Sequence, residues 1–252
     1  MYINDINIIY YVLIGFLGLA VGQFVDWCNL RLPKYEKVFS KEFFTIYLKN
    51  FKANYLLMFT TAIIYIALLF FIGWHSNIIY KIDLIKYLVL TPMLLSAFVI
   101  DYKLQIIPNR LNLTIFEVGL IFTFLQGIFN INVGIDMLLG SLTGAGIFLL
   151  ITLLGGAIAG KEAMGFGDVK LMGALGLFFG WMNMIAISLI AFLIAAVISI
   201  SLMVIRKKKK DEYIPFGPFI VIATFIVMVT PFNILLFSLL KIFTLGLYHG
   251  TL

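Results

Sequence analysis

Two aspartates carry the best-defined chemistry in the chain. Asp101 follows the apolar run Leu94–Ile100 and opens the stretch Asp101-Tyr-Lys-Leu-Gln-Ile-Ile-Pro108-Asn109-Arg110. Pro108 interrupts a continuing helix, so the Asp101 carboxyl belongs where an apolar helix meets a turn. Asp168 closes Met164-Gly165-Phe166-Gly167-Asp168 and precedes Val169-Lys170-Leu171. Gly165 and Gly167 permit backbone angles that other residues avoid, and allow another chain to approach closely. An apolar helix begins after Asp168, which puts its carboxyl in a first helical turn, where the helix dipole favours negative charge. The two acids are 67 residues apart and can meet only through the fold. If they meet, two like charges at short range share one proton. The ionised partner takes a proton from a water, which attacks a peptide carbonyl. The protonated partner polarises that carbonyl and then protonates the leaving amine. Such hydrolysis requires no metal and no nucleophilic side chain. Residue types alone leave a second reading open, in which each acid caps a helix at a membrane interface or pairs with a base.

The other titratable groups divide by position. Asp5, Asp83 and Asp136 fall near the opposite ends of apolar runs, and Asp26, Glu36, Glu42, Asp211 and Glu212 fall in basic loops. Glu162 lies six residues before Asp168, and Glu117 lies inside an apolar run, where a carboxylate is costly. A single cysteine, Cys28, excludes an internal disulfide and a cysteine-built zinc site, and no metal site is expected.

The elements that must position these groups are membrane helices. Of 252 residues 63% are hydrophobic and 12% charged, with a mean hydropathy of +1.10. A water-soluble domain carries roughly a quarter charged residues, so lipid must solvate much of this surface. About eight apolar runs are long enough to act as spans: roughly 8–25, 55–74, 84–100, 113–129, 137–159, 169–183, 184–205 and 219–247. The sixth and seventh divide at Trp181–Asn183. The expected fold class is therefore an all-α polytopic membrane protein. The first run lacks the flanks of a cleaved signal peptide and reads as a membrane helix. The loops 26–54, 101–112, 160–170 and 206–218 hold fifteen of the 18 Lys and Arg residues, and they alternate along the chain. The positive-inside rule places these loops in the cytoplasm, with Asp101 and Asp168, and places both termini outside. The run Arg206–Lys210 reads as a topology anchor near anionic lipid, not as a nucleic-acid site. Gly18-x-x-x-Gly22, Gly140-x-x-x-Gly144 and Gly176-x-x-x-Gly180 read as close helix contacts.

Four stretches, in order, resemble the type IV prepilin leader peptidases. The segment Gly160-Lys-Glu162-Ala-Met-Gly165-Phe-Gly167-Asp168-Val-Lys170-Leu looks like that family's GxGD signature. Asp101 with Ile107-Pro108-Asn109 looks like the segment that carries its first catalytic aspartate. Gly22-Gln-Phe24-Val-Asp-Trp-Cys-Asn-Leu-Arg31-Leu32-Pro33 and Ile214-Pro215-Phe216-Gly217-Pro218-Phe219 are similar to its N-terminal and C-terminal motifs. GxGD alone is shared with presenilin-like proteases; the four together favour the pilin branch.

The resemblance implies a GxGD-type membrane aspartyl protease of the inner (cytoplasmic) membrane. It implies that Asp101 and Asp168 are catalytic, with Glu162, Gly165, Gly167, Lys170, Pro108 and Asn109 as active-site neighbours. The implied partners are membrane lipid and type IV prepilin or pseudopilin precursors, cut at the cytoplasmic face. Proteolysis implies no cofactor. Many members also methylate the new N-terminus with S-adenosylmethionine, and Gly22, Phe24, Arg31 and Pro33 are the positions associated with that step. The loop after the first helix lacks the family's Cys-x-x-Cys pairs, and Gln23 and Asp26 replace the usual Ser and Asn. These departures touch the methylation region and leave the protease motifs intact. The expected division is residues 1–54, a first helix with its basic loop, and 55–252, the peptidase core. A presenilin-like protease and a small proton-coupled transporter using Glu117 are the competing readings.

Overall fold

The computed structural model describes residues 2–4, 6–47, 49, 52–74, 78–159, 164–205 and 214–244. Lys161, Glu162, the run Arg206–Lys210 and both histidines lie outside the described residues. The chain is an all-helical, multi-pass membrane protein. After a two-residue antiparallel pair (Tyr2–Ile3 with Ile6–Asn7) come α1 (Ile8–Arg31), α2 (Tyr55–Ile72), α3 (Ile78–Leu104), α4 (Asn109–Phe129) and α5 (Ile131–Ala159). The remaining helices are α6 (Phe166–Val204), α7 (Gly217–Val229) and α8 (Phe232–Phe243). The first six are long and apolar enough to cross a bilayer. In lipid the backbone must satisfy its own hydrogen bonds, which is why apolar runs of this length become helices. Their outward faces stay apolar, as Leu113, Leu120 and Phe124 on α4 show.

The predicted division near Trp181 is real, and its cause is Gly180. That residue has φ 76° and ψ 170°, outside helical geometry and outside what a side chain tolerates well. The chain folds back there, because Gly144 of α5 touches Met172 and Met184 at once, on opposite sides of the break. Asp136 of α5 reaches the turn and accepts a hydrogen bond from Trp181 N at 3.4 Å, so a carboxylate meets the start of the second half of α6. A span of 39 residues in one line would be about 58 Å long, far beyond the bilayer core of about 30 Å. Six long helices therefore give seven crossings.

Run 219–247 departs from expectation. It is two short helices, α7 of 13 residues and α8 of 12, not one span. Pro231 sits between them, has no N–H to give and disfavours helix at the residue before it. α3 also extends past the expected 84–100 at both ends, which brings Lys81, Asp83 and Asp101 into the helix. The outer extension is tolerated because Lys86, almost fully buried, bonds Asp83 at 2.8 Å, and Gln126 of α4 donates to the same carboxylate at 2.7 Å. Pro92 inside α3 leaves the Leu88 carbonyl without its helical donor, and the Tyr65 hydroxyl of α2 donates to it at 2.8 Å.

The glycine pairs pack as predicted. A Cβ at Gly18 would lie 2.6 Å from Ala62 Cα, and one at Gly22 would lie 2.5 Å from Leu57 O, so α1 and α2 touch backbone to backbone. α5 and α6 do the same at Gly140 and Gly176. This packing brings the C-terminus of α3, the start of α4, the start of α6 and the start of α7 to one end of the molecule.

Candidate active site

Asp101 lies in the last turn of α3. Its carbonyl accepts from Gln105 N at 2.8 Å, and Gln105, at φ 56°, ends the helix in left-handed geometry. Its side chain is turned inward and only 3% of the residue is exposed. Oδ2 accepts the backbone N–H of Gly217, the first residue of α7, at 2.9 Å. Gly217 is needed there for space: an added Cβ would lie 2.6 Å from Asp101 Oδ2. Asp168 lies in the first turn of α6, as the sequence predicts, and is equally buried. Its Oδ1 has no hydrogen-bond partner among the described residues. The two carboxyl groups lie within Coulombic reach of each other. Two acids distant in sequence are thus brought together in a buried site, one with a backbone donor and one with an oxygen that has no partner among the described residues.

The segments carrying them are stitched together by their neighbours. Pro108 caps α4 by accepting from Leu111 N at 2.9 Å. Lys170 Nζ donates to Asn109 Oδ1 at 2.8 Å, which links two residues predicted as site neighbours. Asn112 Nδ2 donates to the Gly167 carbonyl at 3.0 Å. Gly165 is the N-cap residue of α6 with extended backbone, φ −66° and ψ 135°. Gly167 corrects an expectation. It sits inside the first turn with no left-handed backbone, since only Gly73 and Gly180 among the described glycines have positive φ. A Cβ on Gly167 would stand 3.4 Å from Ile107 Cβ, an ordinary contact, so neither an unusual angle nor crowding demands glycine there. Glu162 lies outside the described residues.

A cavity of about 500 Å³ opens between α4, α5 and α6, with Val169, Lys170, Gly173 and Ala174 as its α6 wall. Asn109, Asn112 and Lys170 give it a polar end, and Leu113, Phe116 and Ala145 are among its apolar walls. Glu117 is exposed on the outer face of α4, away from the bundle interior where a transport site would need it. Asn112 and Gly217 were not singled out from the sequence. Gly217 stood in a recognised motif, but its N–H contact with Asp101 spans 116 residues and has no local signature.

The N-terminal positions form a separate arrangement. Gly22 is filled by the α2 backbone. Arg31 is committed to Glu36 at 2.8 Å, to Glu42, to the Lys37 carbonyl at 2.9 Å and to Ser40 at 2.6 Å, with its guanidinium 4.4 Å from the centre of the Trp27 ring. Pro33 lies in a short 3-10 turn, Leu32–Lys34. Phe24 lines a cavity of about 410 Å³ with Val38, Phe39, Ser40, Lys41 and Phe43. Gln23 and Asp26 close a network with Tyr47 and Asn54: Asn54 N donates to Gln23 Oε1 at 3.0 Å, and Tyr47 OH to Asp26 Oδ2 at 2.9 Å. Burial, then the Asp26 carboxylate, pushes the Tyr47 hydroxyl well above the ordinary tyrosine pKa, so it stays a donor. Arg110 at the start of α4 donates to the Tyr35 carbonyl at 2.6 Å, which ties this loop to the Pro108 turn.

These four positions do not fit S-adenosylmethionine. The ligand needs acceptors for its ammonium and ribose hydroxyls and room for its sulfonium. Here the acidic groups are spent on Arg31 and Tyr47, Gly22 offers no open space, and the cavity at Phe24 presents Lys41, a like charge.

Residues 88–200 match the model of the type IV leader peptidase family, a segment that contains both Asp101 and Asp168. The chain is 32% identical over 141 residues to a prepilin leader peptidase/N-methyltransferase of Aeromonas hydrophila, covering 56% of this chain and 48% of that protein. It is 34% identical over 158 residues to the enzyme of that name from Legionella pneumophila, covering 62% and 53%. For the one from Pseudomonas aeruginosa the figures are 29% over 158 residues, 63% and 53%. The chain thus spans about half the length of the curated relatives it matches. No solved structure matches it.

Proposed function

Since residues 88–200 match the model of the type IV leader peptidase family, we propose that this chain is a prepilin leader peptidase: an aspartic endopeptidase that removes the leader from type IV pilin-like precursors. The observation that carries the proposal is the buried meeting of Asp101 and Asp168 at the ends of α3 and α6. The pair holds one proton between its carboxyl groups. The Gly217 N–H is a donor to Asp101 that suits a carboxylate there. The ionised acid takes a proton from water as the water oxygen bonds to the scissile carbonyl carbon. The other acid donates its proton to the departing amine as the C–N bond breaks. Burial of the site keeps competing water away from both acids and strengthens their action on the substrate. This route uses water and two carboxyl groups and no cofactor.

We assign the site to the cytoplasmic face of the inner membrane, with the N-terminus outside. The support is that Lys34, Lys37, Lys103, Arg110 and Lys170 gather at the Asp101 and Asp168 end. The division into residues 1–54 and a core of 55–252 remains part of the proposal, with Arg110 as the join. The proposed reaction is proteolysis alone, because Gly22 and Arg31 are occupied by contacts within the chain. Co-expression with a type IV prepilin, followed by mass analysis of the pilin N-terminus, tests the reading. A mass lower by that of the leader supports it, and an extra methyl group would show that S-adenosylmethionine binds by other residues. An uncut precursor beside well-inserted enzyme would refute it.

A further inference from the structure

The chain after α1 does not run straight out into water. It folds back along α1: the ring centres of Phe39 and Phe43 lie 5.9 and 5.8 Å from that of Phe24, and Trp27 Nε1 donates to the Val38 carbonyl at 2.9 Å. Phe24 lies seven residues before Arg31, the last residue of α1, which is about 10 Å back along the helix axis. That is the height at which α1 leaves the hydrocarbon. Its uncharged stretch, residues 8–25, ends at Asp26 and is about 27 Å long, close to the bilayer core of about 30 Å. Phe39 is 90% exposed at this height, so described residues cover little of its ring. The backbone beside it is served by the protein: Arg31 donates to the Lys37 carbonyl at 2.9 Å, and Trp27 holds that of Val38. Backbone close to lipid must be satisfied in this way. Lys37 and Lys41, both exposed, flank Phe39 in the sequence.

We propose that residues 37–41 form a lipid-binding site at the boundary of the bilayer: Phe39 enters the acyl layer, and Lys37 and Lys41 bind the headgroup phosphates of the same membrane beside it. The inference needs α1 to span the membrane and does not depend on the peptidase reading. An exposed apolar ring at the height where a span ends meets acyl chains, and its burial there is favourable. Lysine stems lie along apolar surface while their ammonium groups stay among polar heads, and anionic lipid attracts such groups at the surface. The cavity of about 410 Å³ lined by Phe24, Val38, Phe39 and Phe43, with Ser40 and Lys41 as its polar lining, gives an acyl chain a place against the protein. The same loop offers the Tyr35 carbonyl to Arg110 at 2.6 Å. What lipid holds at Phe39 is thereby tied to the turn that follows Asp101.

The test places the full-length chain in lipid nanodiscs and attaches a nitroxide to one introduced cysteine, in a Cys28→Ala background. The position of interest is Phe39→Cys. Leu17→Cys, exposed within α1, and Lys34→Cys, beyond its end, are the references. Collisions are measured with oxygen, which concentrates in lipid, and with a nickel chelate that stays in water. The label at 39 should lose collisions with the chelate and gain them with oxygen, moving from the values at 34 towards those at 17. Exchanging neutral phosphatidylcholine for anionic phosphatidylglycerol should deepen it, and Lys37→Gln with Lys41→Gln should abolish that response. Because the label replaces the ring, a second measurement keeps one: Phe39 is replaced by photoreactive p-benzoyl-phenylalanine, and irradiation in the membrane should give an adduct of phospholipid mass. The proposal is overturned if position 39 matches position 34, which would put the loop in water. It is overturned as well if anionic lipid changes nothing, or if the photoadduct forms only with a prepilin or a second copy of the chain, which would make the surface a protein contact.

Discussion

Gly217→Ala replaces one hydrogen by a methyl group and probes the Asp101 carboxyl without changing any charge. Gly217 opens α7 with no positive φ, so alanine strains no backbone there. The new Cβ would instead lie 2.6 Å from Asp101 Oδ2 and 3.0 Å from its Cγ, inside van der Waals contact, and the carboxyl must move. Moving it lengthens or breaks the 2.9 Å bond from Gly217 N. A hydrogen bond to a charged group contributes about 1.5–3 kcal/mol, and each 1.36 kcal/mol is about tenfold in rate. The expected result is a fall of about ten- to hundredfold in kcat, with KM nearly unchanged because the Gly217 contact acts on the reacting Asp101 carboxyl. The assay is cleavage of a prepilin peptide by purified enzyme, normalised to folded protein measured by size-exclusion chromatography. Wild-type turnover by Gly217→Ala would refute the idea that the Gly217 contact sets Asp101. A loss that merely tracks the folded fraction would refute it equally.

Gly167→Ala should keep turnover within about threefold, because its Cβ makes an ordinary contact with Ile107 and alanine in a helix gains about 0.5–1 kcal/mol over glycine; a dead but folded enzyme would show that space next to Asp168 matters more than the contact implies. Lys86→Met should cost stability at the lower end of roughly 3–5 kcal/mol, since Asp83 is left in place but keeps Gln126 and some exposure. The double change Lys86→Met with Asp83→Leu should recover most of that loss in thermal melts, and no recovery would mean that the pair is not what stabilises this end of α3. Gly180→Ala should sharply reduce the amount of inserted protein, because a side chain meets both a φ of 76° and the Asp136 carboxylate; normal accumulation would contradict the folding back of α6.

The helices were legible because lipid makes length and hydropathy decisive, and the glycine pairs were legible because small residues at helical spacing have little other use in a membrane. The division of α6 could be read from the charge of the loop that follows, although its cause needed Asp136 of α5 to arrive at Gly180. The break at Pro231 was in plain sight, but a continuous apolar run hid it. The site divided in the same way. Asp101 and Asp168 stood out through residue type and flanking motif, and their meeting needed the fold. Asn112 resembles many polar residues in a first or second helical turn until its partner at Gly167 is known. Gly167 was misread because a glycine beside an aspartate suggests unusual backbone, whereas α6 begins one residue earlier and makes it helical. Gln23 and Asp26, departures within the N-terminal motif, make sense only with Tyr47 and Asn54, residues 24 and 28 positions away from them.

The most direct test of the dyad is the mass of a type IV prepilin after exposure to Asp101→Asn and to Asp168→Asn, each inserted in the membrane at the wild-type level. Asparagine keeps the size of the side chain and can neither accept the proton of the attacking water nor return it to the leaving amine. The account predicts that both variants leave the precursor at full mass while the wild type removes the leader. Processing at near the wild-type rate by either variant would contradict it.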